Sequence, residues 1–486
     1  MLDRLDRTLR EGGPRPALLG SGGAPARCGE LAALADQYAA ALHHRHGLRP
    51  GDTLGVAVRP GPRALAVLLA AHRLGLRAAV LDPSAGPDVL RARLALAPPA
   101  LILADAAVQA AAGWARPLAR RVHLELPPLH LLGPVATVGR RLPGCAPGLG
   151  GHPGPPPKPY EGDGDAVIVF TSGTTSAPRG VVHSRASLAA GMRAVDALVR
   201  PGPGRLVLGG TTFVLVPALA AGATVALPAR RSAALQRQID RLAPDETYLT
   251  PPQLRPLTRL TGRVWTGSAP ADAALLRRAK QAGASEAWGV YALTELFPAA
   301  AVEEREKSAH EGPGDLLGTP LPGIRTRLGA DGELLLAGPS ARDRYLGEDP
   351  DPWVRTGDRA ALDPDGRIVL AGRLKDMVLR RAENIYPGLY EPSLHLPEVE
   401  LAVLVGVPAP DGDERLVALV QPRAGADYRR LRADLRAPLA RMGSARPDAL
   451  LLGPVPLAGR SRKPDRAAAA RHCADRLATD PTGSTL

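Results

Sequence analysis

The sequence predicts a mixed α/β protein, with a large α/β domain over residues 1–374, a small α+β domain over 375–470 and a disordered tail over 471–486. Three observations predict this. Apolar segments of helical and strand period alternate through the first half, as in a parallel sheet covered by helices. From about residue 323 the texture changes to hairpins with Asp-Gly turns. The 486 residues also suffice for two to four domains at roughly 100–200 residues each.

The elements follow in order. Residues 29–47, GELAALADQYAAALHHRHG, carry apolar positions at helical spacing. Arg49-Pro50-Gly51-Asp52 then turns the chain. LGVAV (54–58) and AAVLD (78–82) read as buried strands around a helix at 62–75. Residues 142–165 are dominated by Gly and Pro and predict an exposed linker. AVIVF (166–170) is a fully apolar strand, and 224–227, 247–250 and 263–266 are further candidates. IRTRLGADGELLLAG and RAALDPDGRIVLAGR read as hairpins, Asp365-Gly366 being the clearer turn. A short helix after Pro387, a strand at 399–407 and a helix at 427–442 complete the small domain.

Composition excludes several classes. Hydrophobic residues make up 45% and charged residues 22%, which excludes a largely disordered chain. Aromatics are only 3%, so the core rests on Leu, Val and Ala. The net charge of +13 invites a nucleic-acid partner, but the basic residues are scattered without aromatic interleaving, so none is expected. Cys28, Cys145 and Cys473 lie too far apart for a disulfide framework or a metal motif. His43, His44 and His46 read as an exposed helix end, with no carboxylate or Cys at ligand spacing. The charged N-terminus has no apolar core, and no apolar stretch is long enough to span a membrane. A cytoplasmic protein is the expectation.

Lysine usage is informative. Of 61 basic residues only Lys158, Lys280, Lys307, Lys375 and Lys463 are lysines, the remainder being arginine. Arginine does not replace lysine where a compact ammonium is needed. A lysine retained against this drift is a candidate for function.

The strongest motif is FTSGTTSAPRGVVHS, residues 170–184. A buried strand runs into Thr171, Ser172, Gly173, Thr174 and Thr175, and Pro178, Arg179 and Gly180 follow. Small residues let backbone N–H groups approach an anion, hydroxyls add donors and Arg179 adds charge. These are the elements of a polyphosphate cradle, and it is not a Walker loop. The segment resembles the phosphate loop of the adenylate-forming superfamily, which includes acyl-CoA synthetases, nonribosomal peptide adenylation domains and luciferase. Ser176 and Arg179 replace that family's usual Gly and Lys.

The resemblance extends over residues 10–470 through further motifs in the same order. Gly267-Ser268-Ala269-Pro270 resembles the loop against adenine, and Tyr291-Ala292-Leu293-Thr294-Glu295 the family's Tyr-Gly-x-Thr-Glu. It implies that Tyr291 packs on the base, Thr294 contacts the α-phosphate and Glu295 ligates Mg²⁺. Arg355-Thr356-Gly357-Asp358 implies that Asp358 accepts the ribose hydroxyls. Gly372-Arg373-Leu374-Lys375-Asp376 implies a ribose-side contact from Arg373 and a hinge at Lys375 for a mobile small domain. Gly459-Arg460-Ser461-Arg462-Lys463-Pro464-Asp465-Arg466 resembles the C-terminal element whose lysine is catalytic, which is Lys463 here. Phe213 stands where relatives carry a His or aromatic over the acyl carboxylate; a core Phe is the other reading. His183, after the phosphate loop, is read as structural.

The resemblance implies ATP-dependent activation of a hydrophobic, fatty-type carboxylic acid to acyl-AMP, with ATP and Mg²⁺ as cofactors, followed by transfer to coenzyme A. Arg381 and Ala382 replace a Gly-Gly pair; Ala382 falls where the family's second glycine borders the thiol tunnel, so adenylation is better supported than CoA transfer. The alternatives are a non-CoA acceptor (an acyl carrier protein's phosphopantetheine or an internal hydroxyl) and a degenerate nucleotide-binding relative, suggested by Ser176, Ala292 and Ala382.

Overall fold

The computed structural model describes residues 1–20, 25–81, 87–117, 126–152, 154–171, 179–380, 383–409, 414–458 and 462–479. The chain divides into two compact units. The first comprises Met1–Tyr248, Thr294–Pro298 and Ala337–Val354; the second comprises Leu249–Leu293, Ala299–Leu336 and Arg355–Leu486.

The first unit contains the expected parallel sheet. Its order is Arg344–Tyr345, Arg179–Ser184, Asp165–Thr171, Arg77–Val80, Thr53–Ala57, Leu101–Asp105, Val135–Val138. The strands from Asp165–Thr171 to Val135–Val138 run parallel, and their apolar residues pack under flanking helices. Arg179–Ser184 returns antiparallel to Asp165–Thr171, and Arg344–Tyr345 adds an antiparallel edge. This edge was not legible as strand in the sequence, although Val181 and Val182 are fully buried. Asp165 joins three strands through Arg77 (3.1 Å) and Arg344 (2.9 Å).

The helix expected over 29–47 ends earlier. It spans Cys28–Ala40, and Ala41–Arg45 widens into a π-turn. The Arg49–Asp52 turn closes as expected, with Asp52 N–H donating to Arg49 O at 3.1 Å and Arg49 N–H to Asp52 Oδ2 at 2.8 Å. His43, His44 and His152 lie ring to ring at 4.8 Å. Among the described residues no group of three or more His, Cys, Asp or Glu could hold a metal ion.

In the second unit, Arg263–Gly267 and Glu286–Tyr291 run parallel, with Trp265 and Trp288 stacked at 5.2 Å. Antiparallel strands follow, and the Asp365-Gly366 hairpin pairs Val354–Leu362 with Ile368–Arg373 as expected. Toward the C-terminus, Val399–Pro408, Glu414–Pro422 and Ala449–Leu452 form a three-stranded sheet. Strand alternation divides its side chains between two cores. Leu404, Leu416, Ala418 and Leu450 pack with Leu431, Leu435 and Leu439 of the helix Tyr428–Ala440. Val403, Val405, Val417 and Leu419 pack with Ala469, Cys473 and Leu477 of the helix Arg466–Thr479.

Two expectations need correction. The short helix after Pro387 is a pair of 3₁₀ turns, Pro387–Leu389 and Glu391–Leu394, since Pro392 cannot donate to a continuing helix. The disordered tail placed from 471 is helical through Thr479, because Cys473 and Leu477 complete the second core. The first turn also brings backbone against backbone: a Cβ at Gly388 would lie 2.6 Å from Ala371 O and 2.8 Å from Gly372 Cα.

Lys307, retained against the compositional drift, is structural. It is buried, its Nζ donating to Leu316 O (2.8 Å) and pairing with Asp315 (2.6 Å). Lys307→Ala leaves Asp315 without that charge, and a loss of about 2–3 kcal/mol is expected by urea denaturation, discounted because Asp315 is partly solvated.

Candidate active site

Two groups of site residues take shape, one in each unit. In the first, the strand Asp165–Thr171 delivers Thr171 opposite Arg179 in register. Ser172, Gly173, Thr174, Thr175, Ser176 and Pro178 fall outside the described residues. Arg179 is exposed, with its guanidinium carbon 5.0 Å from the Tyr345 ring centre and Nε 4.0 Å from Glu348.

Glu295 lies in the same unit and is half-buried. Tyr345 Oη donates to its Oε1 at 3.1 Å, and Arg342 N–H donates to its backbone oxygen at 2.6 Å. Burial and the Glu295 charge push the Tyr345 phenol above its ordinary pKa, so it stays a donor. Thr294 is fixed from behind by His183, whose Nε2 donates to Thr294 O at 2.7 Å. His183 is buried, and burial holds its pKa below the ordinary value against the opposing pull of that bond. A neutral imidazole with its proton on Nε2 is a structural strut, in line with the reading from sequence.

Phe213 is 38% exposed, so it is not a core residue. Its ring lies 3.9 Å from that of buried Phe297. Phe297 in turn packs so closely on Gly191 that a Cβ there would meet the ring at 2.6 Å. Phe213 is thus an exposed aromatic held by a buried one.

In the second unit, parallel pairing sets Gly267 opposite Val290, beside Tyr291 at the strand end. Ser268, in the following loop with Ala269 and Pro270, holds φ at +68°, a conformation rare for a side chain that Ser must bear. Tyr291 Oη donates to Asp358 Oδ2 at 2.6 Å. Register places Arg373 opposite Asp358, and Arg373 Nε comes to 2.9 Å from Oδ1.

Asp358 is only 2% exposed. Among the described residues its Oδ1 has no hydrogen bond, because Arg373 pairs with it outside hydrogen-bond geometry. Burial raises the Asp358 pKa, and Arg373 and Tyr291 offset part of that rise. A buried carboxylate whose Oδ1 is ion-paired but lacks a hydrogen bond fits a ligand that brings hydroxyl donors, as a ribose diol does. The loop around it is held by Glu333, a buried residue that carried no motif in the sequence. Glu333 Oε1 accepts Gly357 N–H at 3.0 Å, and Oε2 accepts Arg355 at 2.6 Å. Gly357 takes φ +68° in this turn.

Lys463 lies in the short strand Lys463–Pro464 and is exposed. Partial desolvation of its ammonium lowers the pKa first, and the cations Arg373 and Lys375 lower it further, while Asp358 acts the other way. Lys463, Asp358, Arg373 and the expected hinge residue Lys375 therefore share one electrostatic neighbourhood. Arg466, three residues on, pairs with Glu391 at 2.6 Å and Asp376 at 3.1 Å, tying the Lys463 strand to the turn Leu374–Asp376. Arg381 and Ala382, and Gly459 to Ser461, are outside the described residues.

The donor set also suits Mg²⁺. Glu295 keeps Oε2 clear of the Tyr345 bond. A single carboxylate completed by substrate phosphates and water is the usual Mg²⁺ environment.

Comparison with known proteins gives consistent relatives. A family profile described as AMP-binding enzyme matches residues 5–346. A feruloyl-CoA synthase of Amycolatopsis sp is 29% identical over 59% of this chain and 66% of its own length. The fatty acid–[acyl-carrier-protein] ligase ScoC of Streptomyces coeruleorubidus is 32% identical over 53% of this chain and 57% of its own. The chain thus spans less than two thirds of the length of these curated relatives. Among solved structures, the amide bond synthetase McbA of Marinactinospora thermotolerans superimposes with a TM-score of 0.80 at 25% identity, covering 97% of this chain and 100% of that one.

The raised Asp358 pKa has a stability consequence. With a folded value above the unfolded one, its contribution is greatest below the unfolded pKa and is lost as pH rises through the folded pKa. Asp358→Asn removes this loss. Its melting temperature is expected to exceed that of the wild type at about pH 8, the gap closing toward about pH 4, as followed by thermal unfolding monitored by circular dichroism.

Proposed function

This chain belongs to the AMP-binding enzyme family, and from that premise we propose that it activates a carboxylic acid with ATP to acyl-AMP and hands the acyl group to an acceptor thiol. The single observation that supports the reading is the buried Asp358, bonded by Tyr291 on one oxygen and ion-paired with Arg373 on the other, in the neighbourhood of Lys463.

The first half-reaction joins two anions. The acid's carboxylate oxygen bonds to the α-phosphorus, the α–β bridging P–O bond breaks, and pyrophosphate leaves with that electron pair. The barrier is one of position and repulsion. Asp358 takes the ribose hydroxyls, Arg373 stands on the sugar side, and Tyr291 and Gly267 to Pro270 flank the base. Thr171 to Thr175 and Arg179 take the phosphates, and Thr294 takes the α-phosphate. Magnesium, when bound at Glu295, neutralises phosphate charge. Lys463 brings a positive charge to the point where carboxylate and α-phosphate meet, and its pKa is lowered by desolvation first and then by the cations Arg373 and Lys375. Phe213 borders the acid's entry.

For the second half, residues 375–470 act as a mobile unit turning at Lys375, which withdraws Lys463 and admits the acceptor. A hydrophobic acid and coenzyme A are the first reading of the substrates, supported by the feruloyl-CoA synthase likeness. A second reading, with a carrier-protein thiol or an amine as acceptor, is favoured by Arg381 and Ala382 in place of Gly-Gly, and by the likenesses to ScoC and McbA.

The test is pyrophosphate release with ATP, Mg²⁺ and a panel of carboxylic acids, followed by AMP release with CoA, a phosphopantetheinylated carrier or an amine. Silence across the acids with folded protein removes the reading; AMP release indifferent to CoA removes the first acceptor. Lys463→Ala is expected to slow pyrophosphate release by more than about tenfold without lowering the melting temperature. In the wild type this rate is expected to fall on the alkaline side at a lower pH than for an ordinary lysine, because the charge is lost above a depressed pKa. Lys463→Arg moves that limb to higher pH.

A further inference from the structure

Tyr345 belongs to no motif quoted for the family resemblance, yet it meets Glu295 and Arg179 of the first unit's site residues. It lies on the two-residue edge strand Arg344–Tyr345, opposite Val181. That edge is firmly tied. Arg344 grips both oxygens of Asp165 (3.0 and 2.9 Å), and Leu346 N–H donates to Gly180 O at 2.8 Å.

Three charged groups converge on this phenol. Its Oη donates to Glu295 Oε1 at 3.1 Å. The guanidinium carbon of Arg342 lies 4.5 Å from the ring centre, and that of Arg179 lies 5.0 Å from it. Arg342 is itself buried and fastened by the carbonyls of Asp351 (3.1 Å) and Trp353 (3.5 Å). Arg179 by contrast is an exposed side chain whose Nε lies 4.0 Å from Glu348.

The arrangement solves a specific conflict. A carboxylate needed for a divalent cation and a guanidinium needed for phosphate neutralise each other if they pair directly. A neutral phenol satisfies one carboxylate oxygen without neutralising its charge, and its ring face attracts the guanidinium without consuming its N–H donors. Resting on the nucleotide reading above, we propose that Tyr345 is a positioning residue that keeps Glu295 and Arg179 apart and aimed, the carboxylate toward Mg²⁺ and the guanidinium toward the triphosphate.

Tyr345→Phe removes only the hydroxyl and keeps the ring. Binding of Mn²⁺, as a spin-active stand-in for Mg²⁺, is measured by electron paramagnetic resonance on the enzyme–ATP complex, and metal-free ATP binding by calorimetry. The Phe variant is expected to weaken Mn²⁺ binding about tenfold, leaving metal-free ATP affinity and melting temperature near wild type. Tyr345→Leu, which also removes the ring, is expected to weaken metal-free ATP binding as well. Unchanged Mn²⁺ affinity in folded Tyr345→Phe overturns the proposal. Equal losses of metal and metal-free ATP affinity in the Phe variant also overturn it, since the hydroxyl then acts on the whole site rather than on Glu295. If the wild type binds no ATP under any condition, the nucleotide reading itself fails and this proposal falls with it. Should Tyr345→Leu not fold, the Phe variant alone decides.

Discussion

A carboxylate removed from water is the constraint on which the rest of this site depends. Ionised and unpaired, such a group is costly enough to neutralise itself. Asp358 is kept usable by partial compensation: a phenol bonded to one oxygen and a guanidinium near the other. Full compensation would leave nothing for a ligand to satisfy. The second unit's architecture follows from this balance. Parallel pairing brings Tyr291 to the strand end, antiparallel register puts Arg373 across from Asp358, and Glu333 fixes the turn that presents it.

The first unit repeats the solution with different residues. Glu295, like Asp358, accepts one tyrosine hydroxyl, and two arginines stand over that tyrosine's ring. In both places a neutral O–H donor directs a carboxylate without cancelling its charge. A chain this rich in arginine needs such spacers, because a guanidinium readily forks onto any carboxylate within reach. Where direct pairing is harmless, it occurs: Arg466 with Glu391 and Arg344 with Asp165 hold the frame.

Much of this was legible in the sequence, and the limits have physical reasons. Strand alternation and Asp-Gly turns are local signals, so the strand Val399–Pro408 and the Asp365-Gly366 hairpin fall where expected, whereas that strand's sheet partners Glu414–Pro422 and Ala449–Leu452 were not read as strands. The motif residues Tyr291, Asp358, Arg373 and Lys463 of the second unit were singled out, and strand register sets Arg373 opposite Asp358. Glu333 and Tyr345 were missed because each acts through a partner distant in sequence; an acid inside an apolar strand, ELLLA, was the one hint for Glu333. The helix through Thr479 was missed for a similar reason: its weak, alanine-rich pattern becomes a buried face only once the sheet beneath it is formed. Lys307 shows that retention of a rare lysine can mark a buried ion pair rather than chemistry.

The contact of Gly388 with the carbonyl of Ala371 and the Cα of Gly372 sets a boundary on how far this protein can drift. Its composition has moved toward alanine and arginine, and Ala292 and Ala382 stand where the resembled motifs carry glycine. At 388 even that smallest step is closed, since a methyl group would have to occupy space already filled by main-chain atoms that cannot rotate away. Laboratory evolution of this chain should therefore find the turn Pro387–Leu389 among its least negotiable positions, for want of room rather than for any reactive group it carries.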